Sequence, residues 1–396
     1  MKKDYGFCGG ISEQVLCNYL ERSVTISCEP GHELSPTQTP EVRSFILNTG
    51  AKYICRAATR WIPAANDYET YPDQKALIDL VHKDDPDVVF EACIFECVTD
   101  KIGEIPVPAW VFEAFGLEAE ERCFSIDAMR FPDGSFTNQW GQGTAVPDMT
   151  QTETQMFFYY RACEYINIGY EGLHMGQIHL IGKNDEGWVC WTRVLDLVRE
   201  YAKTHARRAF VLINAHTPGM LDAHGKLMFD FHMFPIRPVA DDSQPPHFPT
   251  EDNPQRATLN VNHRSGIFGR SLGGLTHSGW ETDTLPYCVE LDNYYDDLPE
   301  RLHVPRPDLA TCWGMDEINW FAHQPAWYRE EFLRYAYAWV RDVAPGKCYF
   351  AMPGQRCIRL RNEQREIICK LYRAYDKSTH PDGFGDESVI KDIWSE

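Results

Sequence analysis

Two carboxylates at the end of an apolar strand are the side chains in this sequence most able to do acid–base chemistry. Residues 285–293 read as a short strand that runs into Glu290, Asp292 and a polar turn. Because side chains alternate between the faces of a strand, Glu290 and Asp292 are expected to point the same way. A charge buried without a partner is strongly unfavourable, so the pair marks a candidate site. In the structural alternative, one acid caps the turn at Asn293 and the other pairs with an arginine.

The elements that must position this pair alternate between strands and helices. Apolar runs predict eight strands, near residues 26, 55, 91, 175, 211, 230, 288 and 350. The fourth of these strands is predicted over residues 171–181. Helix signals lie between most of the strands, and a closing helix is predicted over about residues 362–375. The order strand, helix, strand, helix is typical of parallel sheets with crossover helices.

Eight parallel strands with helices between them predict an α/β fold, the (β/α)8 TIM barrel with long strand-end loops. We expect a single barrel domain over residues 1–396, with loop insertions at about 97–149 and 235–284. These insertions account for the length beyond the roughly 250 residues that are typical of the fold. The link from residue 216 to residue 227 is the weak point of the prediction, because it has no room for a full helix.

Polar pairs fall at the ends of four successive predicted strands. They are Gln177 and His179, Asn214 and His216, Asp230 and His232, and Glu290 and Asp292. In (β/α)8 barrels the active site lies at the carboxyl ends of the strands, and the filled interior favours branched aliphatic residues. Four such pairs that point one way therefore predict a functional site at that end. Each histidine, taken alone, has the alternative role of a hydrogen-bonded core residue.

Composition argues against several classes of partner. The chain has 43% hydrophobic and 24% charged residues, as expected of a soluble globular protein. Its formal net charge of -20 argues against nucleic acid, because binding to phosphates depends on Lys and Arg. No apolar run approaches the roughly 18 residues that would span a bilayer. The first residues carry no signal-peptide pattern, so we expect a cytoplasmic protein.

The sequence resembles the glycoside hydrolases built on (β/α)8 barrels. The resemblance rests on the element order over most of the chain, on Glu290 at the end of the seventh strand, and on tryptophans in or beside strand-end loops: Trp61, Trp140, Trp280, Trp313 and Trp320. In the large retaining group of those enzymes the seventh-strand glutamate is the nucleophile, a role that the resemblance assigns to Glu290. Their acid/base is a glutamate after an asparagine at the end of the fourth strand, where this sequence has Gly176 and Gln177. An amide does not act as an acid, so the acid/base role stays open.

Glycoside cleavage requires two carboxyl groups, one protonated to assist the leaving oxygen and one ionised to attack or to activate water. The candidates to face Glu290 are Glu96, Asp230 and Glu317, of which Asp230 and Glu317 are favoured. Contacts with a small saccharide or glycoside are predicted for Arg60, Glu96, Trp140, Gln177, His216, His232, Asp292 and His323. The fork of an arginine suits an acidic sugar. The tryptophan in this set either stacks on a sugar ring or covers the core.

Two other functions compete with the cofactor-free glycosidase. The metal alternative is a hydrolase or sugar isomerase that binds zinc or manganese through His216, Asp230, His232, Glu290 and Asp292. It ranks second because the first strand lacks the His-x-His of the barrel amidohydrolases, and the 14 cysteines fit no zinc spacing. The other alternative is a carbohydrate-binding barrel without catalysis, which the missing fourth-strand acid favours.

Overall fold

A closed barrel of parallel strands is the centre of the computed structural model, which describes residues 3–27, 39–241, 243, 247–261, 271–292, 315–343, 347–361 and 367–396. Within these residues the eight parallel strands are β1 (Ser23–Ile26), β2 (Tyr53–Ala58), β3 (Val89–Cys93), β4 (Gly172–His174), β5 (Leu212–Ala215), β6 (Phe231–Pro235), β7 (Tyr287–Glu290) and β8 (Cys348–Arg361). They pair in that order, and β1 pairs with β8 to close the barrel. The predicted (β/α)8 fold is confirmed.

Helices follow most of the strands and surround the barrel. In the described part of the chain they are α1 (Glu13–Glu21), α2 (Thr39–Thr49), α3 (Tyr71–Asp84), α4 (Ala109–Ala114), α5 (Thr152–Ile168), α6 (Ile178–Ile181), α7 (Val189–His205), α8 (Glu317–His323), α9 (Ala326–Val343) and α10 (Glu387–Ser395). Short 3-10 helices cover Ala65–Thr70, Asp100–Glu104 and Glu186–Trp188. None of the helices described is long and apolar enough to cross a membrane.

Local sequence signals explain several of these boundaries. Helix α5 ends at Gly169, whose φ of 116° lies in the left-handed region that glycine adopts at little cost. Asp316 caps α8, because its side chain accepts a hydrogen bond from the backbone N–H of Asn319. In the insertion after β6, two short antiparallel ribbons pair Val239–Ala240 with Ala257–Thr258 and Gly274–Leu275 with Glu281–Thr282.

Two apolar clusters separate the inside of the barrel from its outside. The inner cluster combines strand residues with the buried face of α1, which contributes Val15, Leu16, Tyr19 and Leu20. The hydroxyl of Tyr19 lies 2.8 Å from the carbonyl oxygen of Asp87, two residues before β3. Helix α1 therefore closes the amino-terminal end of the barrel and leaves the carboxyl-terminal end for polar side chains. The outer cluster packs the strands against the surrounding helices.

The predicted closing helix is wrong. Residues 362–366 lie outside the described part of the chain, and Ile367–Arg373 forms a ninth strand, β9, antiparallel to β8. Its residues include isoleucine, tyrosine and leucine, which suit a strand that pairs along its whole length. The last helix is α10, further along the chain, and α1 was not predicted at all. Both errors concern elements, β9 and α1, whose structure depends on contacts with distant parts of the chain.

The fourth strand is shorter than predicted. It ends at His174, and Gly176 adopts a φ of 59° before the short helix α6 begins at Ile178. A left-handed residue turns the chain away from the extended path, so Gln177 and His179 do not share a strand face. The short link before β6 contains no helix, as its length requires. An antiparallel bridge between Leu221 and Leu227 returns the chain instead.

We expect Leu16→Ala to lower the free energy of unfolding by about 2–5 kcal/mol, because it leaves a cavity under the barrel. Leu16 is 0% exposed and belongs to the inner cluster. The measurement is urea denaturation followed by tryptophan fluorescence. Leu117→Ala is the matched control, since Leu117 is 44% exposed. Equal effects of the two substitutions would contradict the assignment of α1 as the closure of the barrel.

Candidate functional site

Arg56 lies at an irregular point of β2. Its φ of 61° is in the left-handed region, which is rare for a residue with a side chain. The pairing between β2 and β3 shifts in register between Ile54 and Ala58, so a bulge surrounds Arg56. Its backbone N–H donates a 3.1 Å hydrogen bond to Oε1 of Glu91 on β3. This contact holds the bulge in place, and the bulge directs the guanidinium group toward β7.

Glu290 lies between two arginines at the carboxyl end of β7. Nε of Arg56 donates to Glu290 Oε1 at 2.6 Å, and Nη1 of Arg356, on β8, is 3.3 Å from Oε2. Glu290 is 0% exposed and both arginines are 3% exposed. Buried charges require such partners, because the loss of hydration costs several kcal/mol for each ion. The arginine pairing that the structural alternative predicted is therefore present.

Asp292 lies beside Glu290 and points the same way, as the alternation along the strand predicts. Its Oδ1 is 3.2 Å from Nη2 of Arg356. Burial alone raises the pKa of Asp292, but the positive charges of Arg56 and Arg356 outweigh it and hold the pKa well below the usual range for an aspartate. Asp292 is thus ionised at neutral pH. Its side chain is 12% exposed, whereas that of Glu290 is 0% exposed.

Glu317 is the first residue of α8 and lies close to Asp292. The backbone N–H of Ile318 donates to the Asp292 carbonyl oxygen at 3.2 Å, which joins the start of α8 to the end of β7. Nη1 of Arg237 donates to Glu317 Oε1 at 2.5 Å, and Oε2 has no hydrogen-bond partner among the described residues. Burial raises the pKa of Glu317 to about 8, although the charge of Arg237 opposes that rise. Glu317 is thus mainly protonated at pH 7.

Asp316 adds a second carboxyl group with a raised pKa. Burial raises the pKa of Asp316 to about 8 while its hydrogen bonds from Asn319 lower it. The negative charge of Asp292 raises it further. Asp292, Asp316 and Glu317 therefore form a carboxyl cluster in which the pKa of one member lies below its usual value and the pKa values of the other two lie above theirs.

A second polar group lies on the opposite side of the barrel, along β2 to β5. Glu91 Oε2 accepts hydrogen bonds from the Tyr53 hydroxyl at 2.8 Å and from Asn214 Nδ2 at 2.6 Å. The other end of the Asn214 amide, Oδ1, is 2.6 Å from Nδ1 of His174. All four side chains are buried. They form one connected network inside the barrel.

His216 connects this network with Arg56. Its Nε2 lies 3.2 Å from Nη2 of Arg56, which can only donate, so Nε2 is the acceptor. Burial lowers the pKa of His216 to about 3, and the charge of Arg56 acts in the same direction. The rings of His216 and His174 are 4.7 Å apart. His216 is only partly buried, so it lies nearer to the opening than His174.

Glu96 and Gln177 pair at the ends of β3 and β4. Glu96 Oε2 accepts the Gln177 backbone N–H at 3.1 Å, and Oε1 accepts from the side-chain amide at 2.7 Å. Gly176 makes room for this contact, because a Cβ atom there would lie 2.4 Å from Glu96 Oε2. Burial raises the pKa of Glu96. The predicted contact residues Glu96 and Gln177 are therefore adjacent, on the same face as Arg56.

Three aromatic residues form a rim above Arg56. The ring of Phe95 lies 5.6 Å from the Arg56 guanidinium carbon, the Trp61 ring is 5.2 Å from Phe95, and the Trp140 ring is 5.6 Å from Trp61. Trp61 and Trp140 are each 37% exposed. We call these three residues the aromatic rim. Trp140 belongs to the insertion after β3, and its ring makes an edge contact with Trp61 while staying partly exposed.

Several predicted site residues lie elsewhere. Asp230 precedes β6 at the amino-terminal end, where it accepts from the Ile213 backbone N–H at 2.8 Å, and burial raises its pKa to about 6. His232 points outward, since its neighbours Phe231 and Met233 belong to the inner cluster. Burial lowers the pKa of His232 to about 3. The expectation that all four pairs point one way therefore fails for β6, because Phe231 and Met233 occupy the inner face of this strand. It fails for β4 as well, because that strand ends before Gln177.

The other residues that the sequence predicted for the site make structural contacts instead. Nε of Arg60 pairs with Asp67 at 2.9 Å. His323 lies in the last turn of α8, and its Nδ1 is 2.7 Å from the Asn319 carbonyl oxygen. His179, on α6, contacts Thr217 at 3.1 Å. Of the other tryptophans, Trp280 and Trp320 donate to backbone carbonyls away from the site, and Trp313 and Asn293 lie outside the described residues.

Sequence reasoning missed Arg56, Glu91, Arg237 and Arg356. Two of them carry a readable signal, because Arg56 and Glu91 interrupt apolar strands in the same way as Glu290. Arg237 follows β6, and Arg356 lies within β8 beside the polar Gln355, so neither interrupts an apolar run and neither carries such a signal. Within the part of the chain that the structure describes, no three His, Cys, Asp or Glu side chains are arranged to hold a metal ion.

Comparisons with known proteins add little beyond the fold. No protein-family model matches the chain, and no curated protein matches it. Among solved structures, it is similar to an alpha-galactosidase from Thermus thermophilus in complex with stachyose, with 14% identity, a TM-score of 0.28, and coverage of 52% of this chain and 36% of that one. It is also similar to a debranching enzyme from Nostoc punctiforme, with 12% identity, a TM-score of 0.34, and coverage of 55% of this chain and 52% of that one.

A third similar structure is the glycoside hydrolase domain of PelA from Pseudomonas aeruginosa, with 10% identity, a TM-score of 0.32, and coverage of 83% of this chain and 94% of that one. The chain thus spans about a third to a half of the first two structures. All three are glycoside hydrolases, the class that the sequence resembles. At these identities and TM-scores the likeness says nothing about the activity of this chain.

We expect Glu290→Ala to lower the free energy of unfolding by about 3–5 kcal/mol, because it removes the charge partner of the buried Arg56. The measurement is urea denaturation at neutral pH. Glu331→Ala is the matched control, since Glu331 pairs with Arg256 at 2.9 Å with both side chains more than 40% exposed. Exposed pairs contribute less than about 1 kcal/mol. A loss for Glu290→Ala no larger than that of the control would contradict the buried ion pair.

Proposed function

We propose that this protein is a glycoside hydrolase that acts on a small saccharide at the carboxyl end of the barrel. The observation that carries the proposal is the different surroundings of two neighbouring carboxyl groups: Arg356 contacts Asp292, whereas Glu317 is fully buried and its Oε2 has no hydrogen-bond partner among the described residues. Environments that push the pKa values of two acids apart assign one to each role of an acid–base pair. Glycoside cleavage requires such a pair.

Glu317 is the proposed general acid. Its Oε1 accepts from Arg237, while Oε2 has no partner among the described residues and is the oxygen that would carry the proton. In the proposed reaction this proton passes to the glycosidic oxygen as the bond to the anomeric carbon breaks. Water supplies the new hydroxyl group, either directly or after a covalent intermediate, and its other proton passes to a carboxylate of the pair. The unusual pKa of Glu317 keeps the proton in place at pH 7.

Asp292 is the proposed ionised carboxylate that faces the sugar. The resemblance assigns this role to Glu290, but both oxygens of Glu290 contact arginines, so neither is left to face a sugar. We therefore propose that Glu290 positions Arg56 and Arg356, and that Arg356 in turn holds Asp292 ionised. The assignment predicts that removing the charge of Asp292 lowers turnover more than removing the charge of Glu290.

The aromatic rim supports a saccharide as the substrate. Trp61 and Trp140 present partly exposed rings beside Arg56, and aromatic faces pack against the C–H surface of a sugar. Neutral His216 and the Gln177 amide add hydrogen-bonding groups of the kind that fix hydroxyls. The rim thus provides an apolar surface, and the strand ends provide the polar contacts.

Glu317→Gln should lower kcat at least about 100-fold, because an amide cannot donate the proton. The test begins with a screen of aryl glycosides and natural disaccharides for hydrolysis by the wild-type protein. On a substrate found there, wild-type kcat should fall as the pH rises through about 8, where Glu317 loses its proton. The residual activity of Glu317→Gln should lack that alkaline limb.

The matched control for this prediction is Glu387→Gln, which alters the glutamate at the start of α10, where its side chain accepts from the Asp376 backbone N–H at 3.0 Å. It should leave kcat and the pH profile unchanged. Asp292→Asn and Glu290→Gln, measured together, separate the two candidate carboxylates. Absence of hydrolysis across the screen, or a folded Glu317→Gln protein with full activity, would overturn the proposal.

Trp61→Ala and Trp140→Ala should each raise KM about fivefold with little change in kcat, since each removes about 1 kcal/mol of ring packing. The measurement is steady-state hydrolysis of the same substrate. Trp327→Ala is the control, because Trp327 is similarly exposed, at 38%, but lies on α9 away from the rim. A KM that changes as much in the control as in the two variants would argue against the rim as a binding surface.

A further inference from the structure

The network around Glu91 determines which nitrogen of His174 carries a proton. Glu91 receives three hydrogen bonds, from the Arg56 backbone N–H, the Tyr53 hydroxyl and Asn214 Nδ2. A carboxyl group with three donors around it is an acceptor, which fixes the orientation of the Asn214 amide. Oδ1 of Asn214 therefore faces His174, so Nδ1 of His174 is the protonated nitrogen. Nε2 is left with a lone pair.

The Nε2 atom of His174 is a buried acceptor without a donor. His174 is 0% exposed, and Nε2 has no hydrogen-bond partner among the residues that the structure describes. A buried polar atom without a partner costs about 1–3 kcal/mol, so natural proteins keep few of them outside functional sites. The other half of the same ring is fully satisfied. Within this ring the unfavourable free energy thus comes from Nε2 alone. A ligand that donates a hydrogen bond to Nε2 would remove it.

The surroundings of His174 connect this nitrogen with the proposed site. The His174 ring lies 4.7 Å from His216 and 6.0 Å from Phe95, and both of these residues are only partly buried. Phe95 is also a member of the aromatic rim. His174 is therefore in ring contact with one member of the aromatic rim.

We propose that His174 Nε2 accepts a hydrogen bond from a hydroxyl group of the bound saccharide, and that Glu91 is the positioning residue that keeps this acceptor available. The inference rests on the proposed function and names one contact of the substrate. A hydroxyl fits better than an ammonium group, because the nearby Arg56 guanidinium disfavours a second positive charge. Burial of the ring, together with the charge of the same guanidinium, keeps the pKa of His174 well below its usual value.

The first test measures the tautomer of His174 by nitrogen NMR on protein labelled with 15N-histidine, with the signals assigned by their absence from His174→Gln. Nε2 should show the resonance of an unprotonated nitrogen between pH 6 and pH 8. Glu91→Gln should shift His174 toward the Nε2-protonated form, because the new amide brings donors where the network needs acceptors. A protonated Nε2 in the wild-type protein would overturn the inference.

Glu171→Gln is the matched control for Glu91→Gln. Glu171 is also a buried glutamate next to a barrel strand, but it pairs with Arg207 at 2.6 Å outside the site. This control should leave the His174 signals unchanged. A comparable tautomer shift in both variants would show that the effect comes from general destabilisation and would overturn the positioning role of Glu91.

The second test adds a panel of methyl glycosides to protein labelled with 15N in both histidine and tryptophan. Binding at the rim is read from the indole N–H signals of Trp61 and Trp140, and the proposed contact from an upfield shift of the His174 Nε2 signal. A glycoside that moves the indole signals but not Nε2 would overturn the hydroxyl contact and leave the proposed function standing. If no glycoside moves either set of signals, the hydroxyl contact and the proposed function both fail, whereas the tautomer result is unaffected.

Discussion

The ion pair between Arg56 and Glu290 is the interaction on which the polar end of the barrel depends. Each of these ions loses its hydration inside the protein, a cost of several kcal/mol that only close, opposite charges offset. To reach Glu290, Arg56 occupies a bulge with a left-handed backbone, which Glu91 stabilises through a hydrogen bond. One pair of charges thus accounts for the irregularity of β2 and for the placement of a second buried acid on β3.

The same electrostatic arrangement divides the carboxyl groups into two kinds. Arginine charges hold Asp292 ionised, whereas burial keeps Glu317 and Asp316 protonated at neutral pH. The contrast exists although Arg237 contacts Glu317, because burial outweighs that charge at Glu317, whereas the charges of Arg56 and Arg356 outweigh burial at Asp292. It arises because β7, β8 and the start of α8 meet at one end of a barrel whose opposite end is closed by α1.

The fold could be predicted from the sequence because buried strands and crossover helices leave local signals. The prediction failed where structure depends on a partner far along the chain: β9 exists because it pairs with β8, and α1 because it covers the barrel interior. The site was predicted in part. Glu290 and Asp292 follow from charge in an apolar strand, but the pKa contrast with Glu317 depends on contacts between elements and has no signal in the sequence.

The contact that Gly176 allows limits which substitutions positions 96 and 177 can accept. The glycine lets Glu96 reach the backbone of the neighbouring strand, so one carboxyl group serves the ends of both β3 and β4. A glutamate at position 177 would place two acids within hydrogen-bond distance, and they would have to share a single proton. The residues at positions 96 and 177 therefore depend on each other. A glutamate can replace Gln177 only if a glutamine replaces Glu96 at the same time. Such an exchange would preserve every hydrogen bond of the pair while shifting its charge by one strand around the barrel.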